Sequence, residues 1–199
     1  MAKTVTKGMN GLFETARNAY ERMDFKRAKE LLDRIEEQEH DPHERAAAAL
    51  LLARGYEDGH FAGGVDLDRA YAAFQRVDHV IGEERSDGLV GRARILFAKD
   101  GPLYRDEIVV FCRKAIDIDR NPRAMMLMGL AQEVLFHNEG LARRWYWFAF
   151  RNGLRWGLTF VARSHAREEN HVRCLFYLIL DSMLRPIFMF RSGQNSPFY

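Results

Sequence analysis

The sequence predicts an all-α fold, a stack of about five helical hairpins, and three observations lead there. Met, Ala, Leu, Arg and Glu are plentiful and only 5 prolines interrupt 199 residues, a balance that favours helix. The Asn-Gly or Asp-Gly turns flanked by alternating β-branched runs that mark strand hairpins are absent. Positions also recur. Tyr20 and Tyr56 stand 36 residues apart, as do Gly55 and Gly91, and Ala70 and Ala142 stand two such steps apart. A period in this range marks stacked supersecondary units, and length over period gives about five and a half of them. Such stacks mostly present surfaces to partners, so binding is the expected mode of action.

The helices follow in order. From about Asn10 to Arg22, the residues Leu12, Ala16, Ala19, Tyr20 and Met23 make one apolar stripe. After a turn at Met23-Asp24-Phe25, a second helix turns Ala28, Leu31, Leu32 and Ile35 inward. Residues 36–44 are a polar link. In it Asp41 reads as an N-cap, Pro42 as the first helical residue and Glu44, three residues on, as the partner a capping box needs. The third helix carries the run Ala46–Leu52 and ends near Tyr56-Glu57-Asp58-Gly59. Gly63-Gly64 breaks the chain, and Asp66 starts a fourth helix facing Ala70, Tyr71, Phe74 and Val77 inward.

Ser86-Asp87 opens a fifth helix, which Gly101-Pro102 stops. The sixth spans about Leu103 to Ile118. The 36-residue step from Ala70 calls for a small residue where Asp106 stands, so either the register slips there or that unit is degenerate. Arg120-Asn121-Pro122 is a turn, Ala124 to Phe136 the seventh helix, and Glu139 to Asn152 the eighth, capped by Gly153. Leu154 to about Arg167 and Glu169 to Leu184 are the ninth and tenth. Short connections make successive helices antiparallel neighbours. Residues 1–9 and 192–199 read as tails.

With 47% hydrophobic and 29% charged residues the composition is that of an ordinary soluble domain. The polar start Met1-Ala2-Lys3-Thr4 has no apolar core of a secretory signal, so a cytoplasmic location is expected. Cys112 and Cys174 lie in apolar helical stretches at a spacing that fits no zinc pattern, and buried thiols are expected there. The net charge of +2 hides an asymmetry. Residues 140–199 carry nine Arg and no Lys against Glu168, Glu169 and Asp181, a net of +6, whereas residues 1–139 net −4.

Ala49-Leu50-Leu51-Leu52-Ala53-Arg54-Gly55-Tyr56-Glu57-Asp58-Gly59, followed by Gly64-Val65-Asp66 and Arg69-Ala70-Tyr71-Ala72-Ala73-Phe74, resembles a Sel-one-like repeat. A second such stretch is Met128-Gly129 followed by Ala142, Trp145-Tyr146, Ala149 and Gly153. Ala16 to Ala28 and Lys114 to Pro122 look more like tetratricopeptide repeats. The likeness covers residues 10–153, and residues 154–191 continue as an apolar helical hairpin or cap. The resemblance implies a right-handed α/α superhelical solenoid used as an adaptor or scaffold. It implies no catalysis, because the family's signature residues pack the helices.

No catalytic motif emerges: there is no phosphate-binding Gly-rich loop, no His-Glu-x-x-His and no Gly-x-Ser-x-Gly elbow. An enzyme would need a pocket assembled from scattered residues. His165, Glu168, Glu169 and His171 are the best metal-ligand cluster, but a di-metal carboxylate site needs two such motifs and more Glu. A polar turn between helices is the plainer reading, and no metal, cofactor or catalytic residue is expected.

The strongest functional lead is the C-terminal third. Arg143-Arg144-Trp145-Tyr146-Trp147-Phe148-Ala149-Phe150-Arg151 interleaves Arg with aromatics, and one helix cannot hide all these rings on one side. They either pack between two neighbouring helices or form part of a binding surface. Cys174 to Leu180 is apolar all round, where the last helix of a solenoid needs a polar outer face. Trp145, Trp147, Arg151, Arg155, Trp156, Leu178, Arg185, Phe188 and Phe190 are therefore the expected partner-binding residues. The expected occupant is a protein partner or peptide, or a second copy. The alternative is an anionic membrane surface met peripherally. Nucleic acid is disfavoured, because the whole chain is only +2 and no recognition motif is present.

Overall fold

The computed structural model describes residues 6–38, 41–61, 63–82 and 84–191, with the backbone alone at 6–10, 79–81 and 185–191. The fold is all-α: the described residues form ten helices and no strand. The chain divides into two compact units, residues 1–100 and 101–199, at the Gly101-Pro102 stop.

The first unit holds α1 (Thr6–Glu21), α2 (Phe25–Gln38), α3 (Pro42–Glu57), α4 (Leu67–Ile81) and α5 (Ser86–Asp100). Each packs on the next, and α3 also touches α1 and α5. That central place explains its sequence. Ala46, Ala48, Ala49 and Ala53 point to different sides of α3 and all are fully buried, as expected of a helix with neighbours all round. Ala16, Leu32, Ile35, Leu52, Phe74 and Ile95 fill the core between these helices. Local chemistry sets the starts. The Asp41 carboxylate accepts the His43 N–H at 2.8 Å, with Pro42 behind it, and Asp66 accepts the Arg69 N–H at 2.9 Å.

The second unit holds α6 (Arg105–Asp119), α7 (Pro122–Val134), α8 (Glu139–Arg151), α9 (Trp156–Arg167) and α10 (His171–Arg191), again each packed on the next. Two close approaches fix α8. A Cβ on Gly129 of α7 would stand 2.4 Å from the Tyr146 ring, and one on Gly157 of α9 would stand 2.3 Å from the Tyr146 carbonyl oxygen. Only glycine admits these contacts. Gly153 takes the left-handed conformation (φ 100°) after α8. Leu154 N–H then reaches Ala149 O and Gly153 N–H reaches Phe150 O, both at 3.0 Å, the paired bonds of a Schellman cap. The same cap closes α9 with Glu169 at φ 58° in the glycine position.

Two of the three recurring pairs occupy equivalent places. Tyr20 and Tyr56 are the penultimate residues of α1 and α3, and Ala70 and Ala142 are the fourth residues of α4 and α8. Gly55 and Gly91 are not equivalent: one closes α3 and the other lies near the start of α5. The difficulty at Asp106 is a register slip. Asp106 is exposed in the first turn of α6, and its fourth residue, Ile108, takes the fully buried place that Ala70 and Ala142 take in α4 and α8. Of the two expected tails, residues 6–9 belong to α1, while residues 1–5 and 192–199 lie outside the described residues.

Candidate partner-binding face and cationic cleft

Three helices of the second unit build the surface on which the expected residues fall. A buried polar cluster locks α7, α8 and α9 together. Tyr146 Oη donates to one oxygen of Glu133, Arg167 donates to the other, and Arg163 stands 3.7 Å away. Burial pulls the Glu133 carboxyl upward. The hydrogen bonds from Arg167 and Tyr146 and the charges on Arg167 and Arg163 outweigh this and hold it below the usual carboxylate range. The Tyr146 hydroxyl is pushed far up by burial and by its bond to Glu133, so it serves as a fixed donor. Around it Ala142, Val161, Met126, Leu130 and Phe160 form an apolar cluster.

Beside this cluster, α8, α9 and α10 leave a cleft of about 410 Å³ lined by Arg143, Arg144, Trp147, His165, Arg173 and Tyr177. Helical spacing supplies the set: Arg144 and Trp147 are one turn apart on α8, and Arg173 and Tyr177 one turn apart on α10. Tyr177 stacks on His165 at 5.5 Å and 4°, and meets Trp147 edge-on at 6.4 Å. His165 is 6% exposed. Burial, then the charge on Arg143, lowers its pKa below the ordinary 6.5, against a smaller pull from Glu168, so the ring is neutral at pH 7. Arg143 pairs with Glu168 and reaches Ser164 Oγ at 3.4 Å. Arg144 and Arg173 make no ion pair with any described residue.

The expected binding residues have distinct fates. Trp147 is exposed on the cleft, while Trp145 is half-buried, edge-on to Phe148 at 5.8 Å. Arg151 is exposed without a side-chain partner among the described residues. Arg155 is engaged internally: it lies over the Trp156 ring at 5.3 Å and stands 3.6 Å from the buried Asp181. Trp156 is half-buried beneath it. Leu178 is exposed. The side chains of Arg185, Phe188 and Phe190 lie outside the described residues.

The outward side of α10 continues this surface. Val172, Phe176, Ile179 and Met183 recur at helical spacing and are 82%, 59%, 52% and 70% exposed. Leu175 and Leu178 extend the apolar area. Sequence reasoning missed Arg173 and Tyr177 as members of a site. The only signal was their one-turn spacing, matched by that of Arg144 and Trp147.

Glu168 ends α9 bonded to Arg143, and His171 opens α10 exposed to solvent. Among the described residues no three His, Cys, Asp or Glu side chains are placed to share a metal ion. Cys112 is buried and its thiol is pushed up to about 12 by that burial, whereas Cys174 is only half-buried. Among the described residues no helix is long and apolar enough to cross a membrane. No protein-family model matches this chain, and no curated protein matches it.

Proposed function

We propose that this chain is a non-catalytic protein–protein interaction adaptor or assembly scaffold, cytoplasmic, that docks a protein partner through α8–α10. In this reading the ten helices form a right-handed superhelix of about five hairpins, akin to Sel-one-like and tetratricopeptide repeats. The supporting observation is the unpartnered apolar face of α10. Val172, Phe176, Ile179 and Met183 stand in water on one side of one helix, with Leu175 and Leu178 beside them. Contiguous exposed apolar area of this kind marks interaction sites. Aromatic and Arg residues next to it match the composition of binding hot spots.

The test is a photocrosslinking amino acid placed at Phe176 or Ile179 in the full chain in native cells, with Val65 of the first unit as the exposed control. A stoichiometric protein adduct from α10 but not from Val65 supports the adaptor reading. An adduct to a second copy of the chain supports its scaffold form. Adducts to lipid alone, or none, overturn it.

A further inference from the structure

We propose that the cleft between α8, α9 and α10 receives acidic side chains of an amphipathic helix in the partner, whose apolar face lies along Val172, Phe176, Ile179 and Met183. The inference rests on the adaptor reading and names the chemistry of the partner.

Charge is the first argument. Four cations around the cleft have internal carboxylates. Arg155 meets Asp181, Arg163 and Arg167 meet Glu133, and Arg143 meets Glu168. Arg144 and Arg173 line one cleft and meet no carboxylate among the described residues. Guanidinium forks match carboxylates in planar, two-bond geometry. A ligand seated between the Trp147 and Tyr177 rings would displace water from these exposed cations and strengthen each pair. The surrounding residues 140–199 carry a net +6, which steers an acidic partner toward this end.

Shape is the second argument. About 410 Å³ accommodates one or two acidic side chains and not a folded body, so the ligand reaches in from something larger. Stacking of Tyr177 on His165 holds the aromatic wall in place. Continuity is the third. Helix α10 gives Arg173 and Tyr177 to the cleft and Val172, Phe176, Ile179 and Met183 to the stripe, with Val172 and Phe176 within one turn of Arg173. A ligand that fills both must carry acidic and apolar faces side by side, which is what an amphipathic helix presents. The two unpaired cations of the cleft are too few to track a nucleic-acid backbone.

The test uses the full chain and a synthetic amphipathic helix of about five turns with Glu along one flank and Leu and Phe along the next. Binding is followed by anisotropy beside a Gln-for-Glu analogue. The Glu peptide is expected to bind about tenfold tighter than the analogue, the worth of two partly desolvated ion pairs. The double variant Arg144→Gln, Arg173→Gln is expected to lose that same factor for the Glu peptide only, with an unchanged melting temperature. Phe176→Ser with Ile179→Ser is expected to weaken both peptides alike. The proposal is overturned if the Glu peptide does not bind, if both peptides bind equally, or if the double Arg variant binds like the parent. Binding to phosphatidylserine vesicles or to a second copy of the chain, without binding the Glu peptide, also overturns it. If crosslinking at Phe176 yields a protein adduct while the two peptides bind alike, the adaptor reading stands and the acidic-helix inference falls. If crosslinking yields no protein, both fall.

Discussion

In the first unit, charged side chains close on one another across helices. Arg76 grips Glu36 with two bonds of 3.0 and 3.2 Å, Arg92 meets Asp78 at 2.8 Å, Arg94 meets Glu57, and Lys99 meets Asp68. Its described large apolar residues stay inside, save Met23 and Val65. The second unit is built by the same rules inward but not outward. It exposes Leu103, Phe148, Val172, Phe176, Met183 and others, and leaves Arg144, Arg151 and Arg173 unmatched among the described residues. The two units have similar length and helix content, so the difference is not one of fold. It is one of surface. One half keeps all but two of its described large apolar residues from full exposure, and the other leaves a run of them, beside a cleft with two unmatched cations, for something else to cover.

The largest effect is expected at Gly157 in the second unit. Its absent Cβ would meet backbone atoms of α8 at 2.3 and 2.8 Å, which no side-chain movement relieves. Gly157→Ala is expected to destabilise by about 3 kcal/mol in urea denaturation. Gly11→Ala, with nothing within 4 Å, is expected to gain up to about 1 kcal/mol. A Gly157→Ala variant as stable as the parent contradicts the close α8–α9 contact.

The next effect tests the matched charges of the first unit. Asp78 is largely buried, bonds Arg92 and accepts the Arg85 N–H at 3.0 Å. Asp78→Ala is expected to cost about 2 kcal/mol. Arg151→Ala, on the unmatched side, is expected to change stability by less than about 0.5 kcal/mol. Equal losses would erase the distinction between the units.

Acid provides a subtler probe. His165 is held neutral, with its pKa below 6.5, while the unfolded chain takes up the proton as pH falls through that value. The unfolded state then binds more protons, so stability is complete above pH 6.5 and declines below it. His165→Gln is expected to flatten this part of the stability–pH curve, measured by thermal melting between pH 7 and pH 5 (about the titration range of the ring). An unchanged slope means that another group controls it.

The smallest effect concerns the turn between α9 and α10. Glu169 occupies a left-handed position that glycine adopts without strain. Glu169→Gly is expected to stabilise by about 0.5 kcal/mol, read as a small rise in melting temperature.

Much of the fold was legible because helix boundaries are local events. Asp41-Pro42 and Gly153 act at the boundaries expected of them, whereas Asn121-Pro122, expected only as a turn before a helix from Ala124, caps and opens α7 two residues earlier. The exposed face of α10 was legible too, since an apolar ring around a last helix must leave one side uncovered. The cleft was not. Arg173 and Tyr177 meet Trp147 and His165 only through the packing of three helices, and no spacing rule relates residues on different helices. Arg155 looked like a surface cation, yet Asp181 draws it inward. A charge pattern records which side of a helix a residue occupies, not what waits there.

The glycine notches have a consequence for how this sequence can drift. A Cβ on Gly91 would fall 2.3 Å from the Phe74 ring, so the volume of the ring belongs jointly to both positions. Gly91→Ala alone overfills the contact and Phe74→Leu alone empties it. Made together they are expected to cost less than the sum of the two, a coupling that a double-mutant cycle reads directly. Paired positions of this kind accept change only in step, whereas Val172, Ile179 and Met183 are half or more exposed, and Phe176 meets only the edge of Tyr177 among the described rings. The frame is thus bound by epistasis and the outer face of α10 is free to be rewritten, one residue at a time, as its partner changes.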